Sequence, residues 1–229
     1  MIGLHVDSVR KQIGDKQILN DIFISCRPGQ IIGLLGRNGS GKSTLLKIIF
    51  GSLAADNKFV VIDNRKLDSL YDNRRLIHYL PQDNFLPNHI KIRNIIHCFC
   101  SAENAVTIME NDLIRPFLQK KIKQLSGGEK RILEILLMVH SEAKYLLFDE
   151  PFNGVSPLCV EILKDLIKKH SKDKGFILTD HDYENVLDIS STVILMDNGN
   201  TKVIKDFNEL IAYGYLPATS VKRDLVKLP

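Results

Sequence analysis

Short apolar runs bounded by turn residues and followed by helix-period stretches recur along this chain. Residues 31–35 are apolar throughout and of strand length; they enter a glycine-rich turn at 36–41 and then a helical stretch at 42–50. Residues 145–148 repeat the continuous pattern and end on two carboxylates, while 176–178 and 193–196 read as two further strands. Runs of this kind suit strands buried on both faces, as in a parallel sheet covered by helices. Residues 128–140 are apolar nearly all round, the pattern of a buried helix. Val160, Leu163, Leu166 and Ile167 form a one-sided helical stripe that Gly175 is expected to stop.

The flanking segments differ in character. Residues 4–9 and 18–25 are β-like and end in the turn Arg27-Pro28-Gly29; residues 58–63 are β-rich and lead to His78-Tyr79-Leu80-Pro81-Gln82, where Pro81 ends any interior strand. From 83 to about 124, Phe85, Leu86, Ile90, Ile92, Ile95, Ile96 and Phe99 alternate with polar residues in short helix-like pieces, a small helical insertion. Its apolar residues either pack the insertion's own core or present a docking surface, and the sequence favours neither. Asn198-Gly199 signals a hairpin, and the tail from Asp206 reads as helical and then irregular. With no internal repeat, alternating strands and helices predict one α/β domain with a mostly parallel core sheet.

The turn at 36–44 carries chemistry. Gly36-Arg37-Asn38-Gly39-Ser40-Gly41-Lys42-Ser43-Thr44 fits the phosphate-loop pattern GxxxxGK[ST] between strand and helix. Inward-turned backbone amides and the helix N-terminus suit a β-phosphate, Lys42 suits the β and γ oxygens, and the Ser43 hydroxyl suits Mg²⁺. Asp149 and Glu150 close an apolar strand, where Asp149 can hold Mg²⁺ through water and Glu150 can polarise an attacking water. Paired acids at a strand end would otherwise read as solvated charge; the loop upstream changes that.

Composition narrows the class. Of 229 residues, 44% are hydrophobic and 25% charged, the usage of a compact globular chain. The net charge of +4 is scattered and its densest basic run, 164–174, reads as a solvated helix face, so no nucleic-acid partner is expected. No stretch approaches the ~18 apolar residues of a membrane span and no signal peptide opens the chain, which predicts a cytoplasmic location. Cys26, Cys98, Cys100 and Cys159 lack metal-ligand spacing and are expected to be reduced packing thiols.

Leu125-Ser126-Gly127-Gly128-Glu129, directly before the buried helix, resembles the LSGGE signature of the ABC ATPases. Ser126, Gly127 and Gly128 can form a second anion site at a helix start, although an ordinary Ser cap with Glu129 completing a capping box has the same pattern. The order phosphate loop, Gln82 in LPQD, LSGGE, LLFDEP and His181 in TDHD is similar to that family along almost the whole chain. The resemblance implies a P-loop NTPase fold with an N-terminal antiparallel β subdomain and the helical insertion. It further implies ATP and Mg²⁺, catalytic roles for Glu150, His181 and Gln82, and Ser43, Gln82 and Asp149 around the metal. Two cassettes, as a homodimer or a pair, would close over ATP on a separate transmembrane permease at the cytoplasmic face of the membrane.

Two positions depart from the family pattern. Ile13 stands where an aromatic usually stacks on adenine, and Ser156 stands where the D-loop usually has Asp. Hydrolysis is expected to persist, with slow turnover. The wording EPFNGVSP and TDHD is similar to cassettes of lipopolysaccharide export and branched-chain amino-acid uptake, with a shorter insertion. The alternative within the family is a soluble ATPase that remodels a cytosolic partner, of the iron-sulfur assembly type.

Overall fold

The structure, a computed structural model, describes residues 2–73 and 75–220; the end of the tail lies outside them. Ten strands form two sheets. In the first, β1 (Leu4–Ile13), β2 (Lys16–Cys26), β4 (Asn57–Ile62) and β5 (Arg65–Lys66) pair antiparallel in the order β2-β1-β4-β5. In the second, β3 (Ile31–Gly36), β6 (Ile77–Leu80), β7 (Tyr145–Asp149), β8 (Gly175–Thr179) and β9 (Thr192–Asp197) run parallel, and β10 (Asn200–Ile204) closes one edge antiparallel. The order is β10-β9-β3-β8-β7-β6. The hairpin at Asn198-Gly199 is present, with both residues at positive φ.

The apolar runs are continuous because both faces of the parallel sheet are covered. On β3, Ile31 and Leu35 enter one core and Ile32 and Leu34 the other; on β7, Leu146 and Phe148 oppose Tyr145 and Leu147. The second core holds α1 (Lys42–Phe50) between the two sheets. The first packs α4 (Gly127–Val139), α5 (Pro157–His170), α6 (Tyr183–Ile189) and α7 (Phe207–Ala212) on the far face, joined by α2 (Ile92–Phe99) and α3 (Ala102–Glu110).

For the insertion, packing wins at most positions. Leu86, Ile92, Ile95 and Ile96 are buried in the first core, while Phe85 and Phe99, their rings tilted by 54° with centroids 6.2 Å apart, remain a third exposed and Val106 about half. Two other expectations need correction. Gly175 opens β8, while α5 already ends at His170. The basic run is not wholly solvated: Lys164 is buried, with its ammonium 2.8 Å from Glu161 Oε1 and 3.1 Å from Asp188 Oδ2. A long apolar stem can lie on the core while its charged end finds carboxylates at the rim.

Below α4, the His140 and His170 rings meet edge-on at 4.7 Å, and Lys174 donates to the carbonyls of Ser141 and Ala143 at 2.5 and 2.6 Å. Burial first, then His140, Lys174 and Lys169, push His170 down to about 4, against the opposing Asp173. The unfolded chain takes up this proton near pH 6.5 and the folded chain only near 4, so stability declines as pH falls through that window and then levels. Thermal midpoints measured from pH 7 to 4 should fall less steeply in His170→Gln than in the parent.

Candidate functional site

Because β3, β8, β7 and β6 are adjacent and point the same way, their C-terminal ends make a single edge. The turn after β3, Thr179 at the end of β8 with His181 beyond it, Asp149 at the end of β7 with Glu150 beyond it, and Gln82 after β6 therefore meet, as ligand groups do in open parallel sheets. A cavity of about 440 Å³ opens there, lined by Asn38, Gly39, Gly41, Lys42, Ser43 and Thr44 of the loop, facing Gln82, Glu150 and His181.

The loop is built for close approach. A Cβ on Gly36 would lie 2.6 Å from both the Met196 carbonyl oxygen and Ser40 Oγ, so no larger residue fits beneath the turn. Lys42 curls back and donates to the carbonyls of Gly36 at 2.7 Å and Arg37 at 3.2 Å. Burial holds the Lys42 ammonium below its ordinary value, with Glu150 and Asp149 opposing. An anionic phosphate is a stronger acceptor than those carbonyls. Three loop residues stand outside the lining: Gly36 lies below it, Arg37 donates to the Gly214 carbonyl at 2.7 Å, and Ser40 faces a neighbouring cavity with Arg37.

All three expected catalytic groups converge on one carboxylate. Glu150 Oε1 lies 2.8 Å from His181 Nε2, and Glu150 Oε2 accepts from Gln82 Nε2 at 2.7 Å. Contact with a carboxylate places a hydrogen on Nε2 of the imidazole. Glu150 also has φ 52°, in the left-handed region, a conformation that costs about 1–3 kcal/mol. It persists because both ends are held, the backbone amide donating to the Thr179 carbonyl at 3.1 Å.

Asp149 is caged by hydroxyls. Its Oδ1 accepts from Ser43 Oγ and Thr179 Oγ1, each at 3.0 Å, and its Oδ2 from the Tyr79 phenol at 2.9 Å. Burial and then the Asp149 charge push the Tyr79 phenol well above its ordinary value, so it stays a donor. Ser43 and Asp149 thus present adjacent hard oxygens, a donor set that fits Mg²⁺. Asp180 accepts from the amides of Phe152 and Asp182 at 3.2 and 3.0 Å, fastening the 151–156 loop; burial raises its pKa.

The sequence reading missed Tyr79, Thr179, Asp180 and Arg131. Tyr79 and Thr179 stand at or near strand ends flanking β7, and strand adjacency, which no spacing reveals, makes them relevant. Arg131 and its partner Glu134 were detectable as charges inside an otherwise apolar helix.

Ser126, Gly127 and Gly128 stand elsewhere. Ser126 Oγ accepts from the Glu129 amide at 3.2 Å and the Ser126 amide donates to Glu129 Oε2 at 2.6 Å, a complete capping box. None of the three lines the cavity. A Cβ on Gly128 would come within 2.6 Å of the Gly154 carbonyl, so this glycine lets the 151–156 loop pass the helix start. Ile13 lines the cavity and is 55% exposed, and with Ile18 it offers an aliphatic wall; no Phe, Tyr or Trp lines the cavity among the described residues. Ser156 has N-cap backbone geometry at α5 without a side-chain capping bond.

A phosphate loop, a strand-end acid pair and a Ser-Gly-Gly helix start on this frame define a P-loop ATPase cassette. Residues 19–153 match the model of the ABC transporter family, and the chain belongs to that family as an ATP-binding subunit and an ATPase. It is 29% identical over 216 residues to the lipopolysaccharide export system ATP-binding protein LptB of Escherichia coli (strain K12), covering 87% of this chain and 89% of that protein. It is 28% identical over 212 residues to the spermidine/putrescine import ATP-binding protein PotA of Mycoplasma mycoides subsp. mycoides SC, covering 88% of this chain and 60% of that protein.

A solved ATP-binding subunit of an ABC transporter matches at TM-score 0.80 and 21% identity, covering 94% of this chain and 95% of that one. A nucleotide-free ATP-binding cassette matches at TM-score 0.75 and 22% identity, covering 95% and 96%. These last two establish the fold. Both named relatives are transport proteins, which supports the transporter reading over the cytosolic remodelling alternative. Among the described residues no helix is long and apolar enough to cross a membrane.

Proposed function

We propose that residues 1–229 form a single nucleotide-binding domain that works in a pair, each copy completing the other's ATP site, and drives a separate transmembrane permease from the cytoplasmic face. The observation that carries this reading is the split between the two anion sites. The phosphate loop, Gln82, Glu150 and His181 face one cavity, while Ser126, Gly127 and Gly128 lie outside it. A second cassette packed head to tail would bring its Ser-Gly-Gly start over the γ-phosphate.

Within that pair, the loop amides and Lys42 hold the β- and γ-phosphates. Ser43 and Asp149 would hold Mg²⁺ with Gln82 nearby, and the metal when bound supplies charge neutralisation on the β and γ oxygens. Glu150 polarises a water whose oxygen bonds to the γ-phosphorus as the bond to the β-phosphate oxygen breaks, and the water's proton passes towards Glu150. His181 and Gln82 orient that carboxylate. ADP and phosphate leave when the pair opens.

On the insertion, Phe85 and Phe99 form the docking point for the permease; their paired rings stay partly exposed beside buried neighbours. Which substance is moved, and in which direction, is set by that partner.

The test is affinity purification of tagged Glu150→Gln protein from gently solubilised native cells with ATP and Mg²⁺, followed by mass spectrometry. A multi-span membrane protein should accompany it at near-equal amount, and Phe85→Asp/Phe99→Asp should lose it. Repeated recovery of soluble proteins alone, in more than one detergent, sinks the permease assignment.

A further inference from the structure

Inside the first core, α4 carries a complete ion pair. Arg131 is 3% exposed and Glu134 0%; they stand one turn apart, with Arg131 Nη1 3.3 Å from Glu134 Oε2. Removing two charges from water commonly costs more than their attraction returns, and an apolar pair of similar volume is often no less stable. Stability alone is therefore a weak reason for the pair.

Its remaining hydrogen-bonding capacity supplies a stronger one. Arg131 Nη1 donates to the Pro81 carbonyl at 2.8 Å and Nη2 to the Gln82 carbonyl, while Glu134 Oε1 accepts from the Phe85 amide at 2.9 Å. Three backbone groups of one short loop are thus fastened to the helix that begins at Ser126-Gly127-Gly128. The same loop carries Gln82, whose side chain reaches Glu150 Oε2 at 2.7 Å. A planar guanidinium can bridge two consecutive carbonyls and a carboxylate at once, which a single ammonium cannot do with the same geometry.

We infer that Arg131 and Glu134 are positioning residues for ATP hydrolysis: together they lock the 81–85 loop onto the signature helix and so set Gln82 against the Glu150 carboxylate. The inference rests on the roles given above to Gln82 and Glu150. Neither residue of the pair lines the nucleotide cavity. Their loss should therefore act on the chemical step and spare the phosphate-loop contacts.

The experiment measures steady-state ATP hydrolysis and equilibrium ATP binding in the full chain. Arg131→Met/Glu134→Leu replaces both charges and leaves neither buried alone. Its kcat should fall about a hundredfold, as expected for a catalytic group displaced by about 1 Å, with KM for ATP within about twofold of the parent. In a Gln82→Ala background the same pair of substitutions should produce little further loss, because residues acting in series are not additive. Arg131→Lys, which keeps the charge without the fork, should show the same kcat-against-KM split at smaller size, and it carries the test if the double variant does not fold.

A kcat within about twofold of the parent, or a loss that multiplies with that of Gln82→Ala, overturns the inference while leaving the hydrolytic roles intact. Unchanged hydrolysis in Gln82→Ala and Glu150→Gln themselves would overturn those roles, and the positioning claim with them.

Discussion

Glu150→Gln should slow ATP hydrolysis by about a hundredfold or more, the scale of a lost general base, while leaving ATP binding nearly unchanged. The substitution keeps the side chain's volume and its oxygen towards His181, and it removes the charge and the basicity. The partners show why the effect should be large: the carboxylate is held on both sides, by His181 Nε2 and Gln82 Nε2. Its positive φ adds a second expectation. Glu150→Gly should be more stable than Glu150→Ala by about 1 kcal/mol or more, since glycine adopts the left-handed region without strain. Phosphate release, equilibrium nucleotide binding and thermal midpoints on the three variants separate the catalytic effect from the conformational one. Glu150→Gln releasing phosphate at the parental rate would remove Glu150 from the chemistry.

Lys42→Met should instead act on binding, lowering affinity for ATP by about a hundredfold or more, from charge-assisted hydrogen bonds worth about 1.5–3 kcal/mol each. Here the ammonium does two things. It donates to the carbonyls of Gly36 and Arg37 and so braces the turn, and in the proposed function it holds the phosphates. Methionine keeps the stem and loses both, so the loss should appear in Kd, in contrast to Glu150→Gln. Titration of a fluorescent ATP analogue reads it directly, and a Kd close to the parent's would mean that the loop does not hold phosphate as described.

Much of this is legible in the amino-acid sequence. Helix α1 spans 42–50, as its pattern indicates, because Gly41 and Gly51 bound it on either side. Residues 145–148 and 193–196 fall within β7 and β9, since a strand buried on both faces leaves an unbroken apolar run. The loop at 36–44 is readable because the glycines, Lys42 and Ser43 that its pattern requires stand within one short stretch of the chain. Where a side chain serves two masters the pattern misleads: Lys164 looks like one more solvated lysine, and only the approach of Asp188 on α6 shows its burial. The insertion was ambiguous for a similar reason, because an apolar residue looks the same whether its cover is its own neighbours, as for Ile92 and Ile96, or nothing, as for part of Phe99.

What the sequence by itself determined, then, is local: the apolar runs, the helix and turn signals, and the order of motifs that marks the family, because each depends on residues near one another in the chain. Only the tertiary structure decided that Gln82 and His181 grip the two oxygens of Glu150, that Tyr79 and Thr179 cage Asp149, and that Arg131 and Glu134 tie the 81–85 loop to α4. The contacts at Glu150 and Asp149 join the ends of strands adjacent in the order β3-β8-β7-β6, yet far apart along the chain. Adjacency in a parallel sheet is settled by how the helices pack over it, and that energy is spread across two cores and written in no single motif.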